Sequence, residues 1–291
     1  MARLWNSKTS RKSDFILLHF KNLFSDSSSS SSSLHIFLRL FPSAAPTANM
    51  STAVIMGSTG AIGLELVRAM SAESSISTVK ATTRYVVPVN ADLPKLKRAL
   101  FPSLASAPEE HVSKVEIVTI DWDKFCDPKT SADYESLFEK ADIAVSALGT
   151  TRANAGSAAE FERIDKGYNL AAAQAAKSKN VKHYALVSSQ GASSSSWLLY
   201  PRVKGEIEEG VKACGFDVAV AYRPGLLQRG AKSRGVEKVA HFFRVPSTSC
   251  ASVAEKIVAQ AVEKEKEKEK EKDLPKWSIV ENSEMKGKGG K

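Results

Sequence analysis

Thr52-Ala-Val-Ile-Met56 runs straight into Gly57-Ser-Thr-Gly60-Ala-Ile-Gly63, and a helical pattern follows. A short apolar run rich in β-branched residues reads as a buried strand, and three glycines at three-residue spacing read as a tight turn opening a helix. Each glycine has a separate physical use. Gly57 allows the turn, Gly60 lets backbone approach a pyrophosphate, and Gly63 lets the helix pack closely on the sheet. The first turn of that helix then presents unpaired N–H groups and the positive end of its dipole to phosphate charge. In this strand–turn–helix setting, the glycine spacing is a dinucleotide-binding fingerprint.

Outward from this stretch, short β-branched runs alternate with helical periodicity, which predicts a parallel sheet flanked by helices. Strands are expected at 52–56, 78–83, 115–120, 142–147, 183–188, 217–222 and 277–281. Helices are expected at 61–73, 131–139, 158–178, 200–214 and 251–262, where apolar residues recur three and four apart. Right-handed crossovers make this a doubly wound α/β (Rossmann) fold. Residues 50–291 suffice for one core and one domain, with a small, variable substrate region at 225–275.

Two further positions bear on the nucleotide. About twenty residues past a glycine turn, a site preferring NAD carries an acid for the ribose hydroxyls. This chain has Thr82-Thr83-Arg84 instead. The Arg84 guanidinium offers a planar, permanently charged fork to a 2′-phosphate, so NADPH is the expected cofactor. After the third strand, Asp121-Trp122-Asp123 places a carboxylate, Asp121, and an indole where they can meet the adenine.

Catalytic chemistry is suggested by Tyr200-Pro-Arg-Val-Lys204, which sets a phenol and an ammonium one helical turn apart on one face. A nearby cation favours phenolate, so Tyr200 can exchange a proton with a carbonyl oxygen during hydride transfer. Lys204 can also hold the nicotinamide ribose. Ser188-Ser189 ends the preceding strand, at the sheet edge where ligands lie, and a hydroxyl there can hydrogen-bond the same oxygen. Pro201 requires the helix to begin near Tyr200, because proline is tolerated only in a first turn.

The net charge of +9 is unevenly spread: residues 1–49 carry six Lys/Arg against Asp14 and Asp26, +4 of the total. With seven consecutive serines, Ser27 to Ser33, this segment fits an organelle transit peptide, a tail without fixed structure, or an upstream extension that the working protein lacks. Its apolar stretches, Phe15 to Phe24 and Leu34 to Phe41, fall short of the ~20 residues of a membrane span. They can instead lie on a membrane surface, a peripheral association. The remainder is only mildly basic and holds no nucleic-acid recognition motif, so no specific nucleic-acid partner is expected. Cys126, Cys214 and Cys250 and the five histidines are scattered, so neither disulfides nor a metal site is expected. The alternating run Glu263 to Lys272 has nothing apolar to bury and reads as a solvated helix extension or a loop.

The ordered set Gly57 to Gly63, Ser146-Ala-Leu-Gly-Thr-Thr-Arg152, Ile164-Asp165, Val187-Ser-Ser-Gln-Gly-Ala192, Tyr200 with Lys204-Gly205-Glu206, and Arg223-Pro-Gly225 resembles an atypical short-chain dehydrogenase/reductase family. Its members are human and fungal, the fungal ones associated with the mitochondrial outer membrane. The resemblance implies NADPH held by Gly57, Ser58, Thr59, Gly60, Ile62 and Arg84, with Leu148, Gly149 and Thr150 lining it. It implies Ser189, Tyr200 and Lys204 as the catalytic set and a mitochondrial location, peripheral to the outer membrane, with a cytoplasmic one as the alternative.

Two functions from different classes follow. One is an NADPH-dependent oxidoreductase acting on a carbonyl or alcohol of a small molecule that the residues do not specify. The other is a regulatory protein that uses bound NADPH as a structural or redox ligand, since a fold does not fix an activity.

Overall fold

A computed structural model describes residues 51–228, 247–268 and 276–285. All belong to one compact unit, Asn49–Lys291. The extension 1–49, residues 229–246 of the variable region and the end of the Glu/Lys run lie outside the described residues.

The first strand, β1 (Ser51–Met56), is followed by α1 (Ala61–Ala72) and β2 (Ile76–Thr83). Then come α2 (Leu93–Leu100), α3 (Glu109–Ser113), β3 (Val115–Thr119), α4 (Trp122–Cys126) and a 3₁₀ helix at Ser131–Phe138. Strand β4 (Ile143–Ser146) precedes α5 (Arg152–Ala155), α6 (Ala158–Glu162), a π-helical turn at Arg163–Gly167, and α7 (Tyr168–Ser178). Beyond these lie β5 (His183–Val187), α8 (Leu199–Ala213), β6 (Val218–Arg223), β7 (Leu226–Gln228), β8 (Ser247–Ser249), α9 (Cys250–Lys268) and β9 (Trp277–Glu281).

Seven of these strands form one sheet in the order β3-β2-β1-β4-β5-β6-β9. Every pairing is parallel. The order reverses between β1 and β4, which opens a crevice at their C-terminal ends, the place where doubly wound sheets bind ligands. Both faces are covered, and the strands show it: Ala53 and Ile55 point into one apolar cluster, Val54 and Met56 into the other. A strand buried on both sides is apolar without alternation, as the Ala-Val-Ile-Met run is.

Each of the seven expected strands is present within two residues of its expected bounds. Other segments differ. The segment 158–178 is helical throughout but is interrupted by the π turn, and 131–139 is 3₁₀ rather than α. Helices α2, α3, α4 and α5 and the small parallel pair β7–β8 were not expected. The Glu/Lys run takes the helical form as far as Lys268, as an extension of α9.

Candidate functional site

The glycine turn is packed so tightly that side chains are excluded from two of its three glycines. Gly57 has φ +77°, and a Cβ there would lie 2.6 Å from the Ala147 carbonyl oxygen. A Cβ on Gly63 would lie 2.1 Å from the Gly57 carbonyl oxygen and 2.7 Å from Ser58 Cα. Gly63 therefore serves the turn itself, since the helix backbone rests on Gly57 and Ser58. Gly60 caps α1 in an extended conformation with no side chain bonded to the first N–H groups. Those donors stay free for an anion.

Strand β2 pins this turn. The Gly57 N–H donates to Thr82 Oγ1 at 3.3 Å, and the Ser58 hydroxyl donates to the Thr82 carbonyl at 2.5 Å. Ser58 is fully buried, so its hydroxyl is spent inside the protein and only its backbone can serve a nucleotide. Thr59 and Gly60 are exposed, and Ile62 is buried beneath them. Arg84, one residue past β2, is exposed and makes no ion pair or hydrogen bond among the described residues. Asp121 and Trp122 divide differently from the expectation. Asp121 caps α4, accepting from the N–H groups of Asp123 and Lys124 at 3.1 and 3.3 Å. The Trp122 indole is only 7% exposed, stacked on Tyr168 and edge-on to Phe125 in the core, so it has no open face to offer an adenine.

Helix α8 begins at Leu199, so Pro201 is its third residue, where no intrahelical N–H bond is lost. Tyr200 is 45% exposed, and among the described residues its hydroxyl has no hydrogen-bond partner. The Lys204 ammonium lies 5.9 Å from the Tyr200 ring centroid, on the expected common face. The two serines after β5 separate. Ser188 is buried and donates to Glu208, which also takes Arg223 Nε at 3.0 Å and Nη2 at 2.6 Å. Ser189 is half-buried, and among the described residues its hydroxyl donates only to the next carbonyl, at 3.4 Å. Its loop folds back onto α8. The Ser193 N–H donates to the Pro201 carbonyl at 3.0 Å, and a Cβ on Gly205 would lie 2.1 Å from Ser194 N.

A residue to which sequence reasoning gave no role sits at the centre of this arrangement. Asp165, in the π turn, is fully buried; its Oδ1 accepts the Thr150 N–H at 2.6 Å, and Lys204 Nζ lies 2.9 Å from its Oδ2. That second contact is an ion pair without the alignment of a hydrogen bond. Gly149 lies directly over the pair, since a Cβ there would be 3.5 Å from Oδ2 and 3.6 Å from Nζ. Gly149 and Thr150 thus lie beside the Asp165–Lys204 pair, and Leu148 N lies against Gly57 of the turn. The surrounding polar groups are paired: Ser146 Oγ donates to Asn169 Oδ1 at 2.5 Å, and Asn169 Nδ2 donates to the Asp165 carbonyl at 2.6 Å.

A glycine-cradled helix N-terminus at the switch point of a parallel sheet defines a dinucleotide-binding fold. Residues 57–264 match the family described as NAD(P)H-binding, and the chain belongs to that family, of the atypical short-chain dehydrogenase/reductase kind. It is similar to protein fmp52, mitochondrial, of Emericella nidulans, with 35% identity over 195 residues covering 67% of this chain and 75% of that one. Protein FMP52, mitochondrial, of Candida albicans is 34% identical over 178 residues, 61% and 67% of the two chains. Among solved structures, MoeE5 in complex with UDP-glucose and NAD superposes with a TM-score of 0.54 at 12% identity, covering 79% of this chain and 75% of that one. The terminal R domain from the myxalamid PKS-NRPS biosynthetic pathway gives 0.57 at 14% identity, covering 73% and 63%. At such identities the likeness is one of fold.

Proposed function

We propose that the protein is an NADPH-dependent oxidoreductase that interconverts a carbonyl and an alcohol. The observation that carries the reading is the Tyr200 hydroxyl, without a hydrogen-bond partner among the described residues, with the Lys204 ammonium 5.9 Å from its ring. The cofactor fits the residues present. Gly57 and Gly63 keep the turn clear of side chains, the open N–H groups of α1 would hold the pyrophosphate, and Arg84, which has no ion pair among the described residues, would hold the 2′-phosphate. NADPH held there would supply the hydride for the carbonyl carbon.

The chain's own groups then handle the oxygen. Ser189 donates a hydrogen bond that orients the carbonyl, and Tyr200 passes its phenolic proton to the oxygen as it becomes a hydroxyl. The Lys204 ammonium stabilises the phenolate left behind until solvent returns a proton. In the reverse direction the same groups take the alcohol proton.

The reading is tested by titrating residues 50–291 with NADPH and NADH, following fluorescence, for wild type and Arg84→Ala. Preference for NADPH that falls about tenfold or more in the variant, as for one lost charge-assisted pair, supports the cofactor assignment. Tyr200→Phe should then abolish turnover of any carbonyl that the wild type accepts. Unchanged turnover in that variant removes Tyr200 from the mechanism. NADPH binding with no turnover across a broad carbonyl panel favours a regulatory protein that carries the nucleotide. We also place the protein at mitochondria, peripheral to the outer membrane. Its relatives are named mitochondrial, and no helix among the described residues is long and apolar enough to cross a membrane.

A further inference from the structure

We infer that Asn282 is a positioning residue that fixes the wall of the crevice next to Ser189, an inference that rests on the proposed oxidoreductase reading. Asn282 opens the 3₁₀ turn Asn282–Met285 at the end of β9 and is 6% exposed. Its Oδ1 accepts twice, from the Gly225 N–H at 2.8 Å and from the Thr248 hydroxyl at 2.6 Å. An amide oxygen has two lone pairs, so one atom satisfies both donors. Gly225 comes two residues after β6, and Thr248 is the middle residue of β8. The tie therefore joins the chain leaving β6 to the chain entering α9.

Three observations connect this tie to the proposed site. The Pro224 carbonyl accepts the Gln190 N–H at 2.9 Å, and Gln190 follows Ser189, the hydroxyl proposed to orient the carbonyl. Gly225 has no slack, because a Cβ on it would lie 2.8 Å from Gln190 Oε1 and 2.9 Å from Asn282 Nδ2. Strands β7 and β8 have three residues each and pair in parallel outside the main sheet, and so short a pair is marginal by itself. Its outer end is held by Gln228 Nε2, which donates to Ser247 Oγ at 2.7 Å; Asn282 holds the inner end. The post that carries Asn282 is firm, since β9 pairs with β6 and Val280 and Met285 are buried. Arg223, bound to Glu208 and Glu281, fixes the start of the same segment, so loss of Asn282 frees the part beyond it, Pro224 to Gln228.

Two substitutions test the tie. In Asn282→Leu, a change of similar size, both donors lose their acceptor. The carbonyl KM should rise by about tenfold, as for one or two lost hydrogen bonds, with kcat within about threefold of wild type. The NADPH Kd should also stay within about threefold, because β4 and β5 separate the tie from the glycine turn and Arg84. Thr248→Val removes only the hydroxyl donor. It should raise KM by about threefold in the wild-type chain and no further in Asn282→Leu, since partners in one bond are not additive.

A measurement independent of turnover is amide hydrogen exchange, read on peptides spanning 223–228 and 247–250. It should run several-fold faster there in Asn282→Leu than in wild type, with β5 unchanged. If Asn282→Leu fails to fold, Thr248→Val carries both readouts. Unchanged exchange in the two peptides, a loss confined to kcat, an NADPH Kd weakened as much as the carbonyl KM, or additive effects of the two substitutions overturns the inference. Exchange that responds as expected in a protein that turns over no carbonyl sinks the oxidoreductase reading and supports the tie made by Asn282.

Discussion

Gly63→Ala and Gly167→Ala are the same chemical change in two helical settings, and the structure assigns them opposite outcomes. At Gly63 the new methyl carbon would sit 2.1 Å from the Gly57 carbonyl oxygen and 2.7 Å from Ser58 Cα. Even a weak C–H···O contact keeps about 3.3 Å, so roughly 1.2 Å must be recovered, and only by moving backbone. The turn cannot yield cheaply, because Gly57 is itself held at φ +77° and by Thr82. Overpacking of this kind costs about 2 kcal/mol, which for a domain of this size lowers the melting temperature by about 4–8 °C. At Gly167 nothing lies within 4 Å of the added methyl. Alanine there gains helix propensity, up to about 1 kcal/mol, so stability should hold or rise.

The assay is thermal unfolding with and without NADPH. At a hundred times its Kd the nucleotide adds about 2.7 kcal/mol to wild type and to Gly167→Ala. It should add much less to Gly63→Ala, whose opened turn no longer aims its N–H groups at the pyrophosphate. A Gly63→Ala protein that melts within a degree of wild type and keeps the full NADPH shift would refute the account of the turn.

Glu208→Ala should cost about 3 kcal/mol, the lower end for breaking a buried ion pair, because Arg223 retains Glu281 at 3.2 Å; urea unfolding measures it, and a loss below about 0.5 kcal/mol contradicts the pairing. Stability should fall as pH rises from about 10 towards 12. Burial, then the hydrogen bond to Asp123, lifts Tyr168 to about 12, while burial also raises Tyr184 and Tyr222. A group with a raised folded-state pKa stabilises fully below its unfolded value, ~10, and loses that contribution above it, so a flat alkaline profile would be inconsistent with three restrained phenols. Fractionation of cells expressing the chain with and without residues 1–49 tests the mitochondrial assignment, and identical distributions would remove the extension from it.

The residues that build the sheet were legible because strands buried on both faces, such as Ala53 to Met56, show as unbroken apolar runs. The turn was legible because glycine is almost the only residue its geometry admits. What stayed hidden depends on where side chains point. Ser58, which the resemblance puts beside the cofactor, turns its hydroxyl inward to the Thr82 carbonyl. Trp122 looks like an adenine platform until it is found in the core. Helix α2 buries no residue completely, so its apolar periodicity marked no core face, although Asp92 as cap and Pro94 in the first turn were local signals. Asp165 was visible only as part of a resemblance, because its position follows from a π turn that periodicity cannot reveal.

That π turn makes the site sensitive to chain length at one place. An α-helix rotates by about 100° per residue, and a π turn takes up one residue more than an α turn. Deleting Lys166 would let α6 and α7 join as one regular helix, and Asp165 would swing by about that angle away from Lys204. Loss of a single residue here would conserve every other named group, leave the helix more regular than before, and strand an ammonium in the interior.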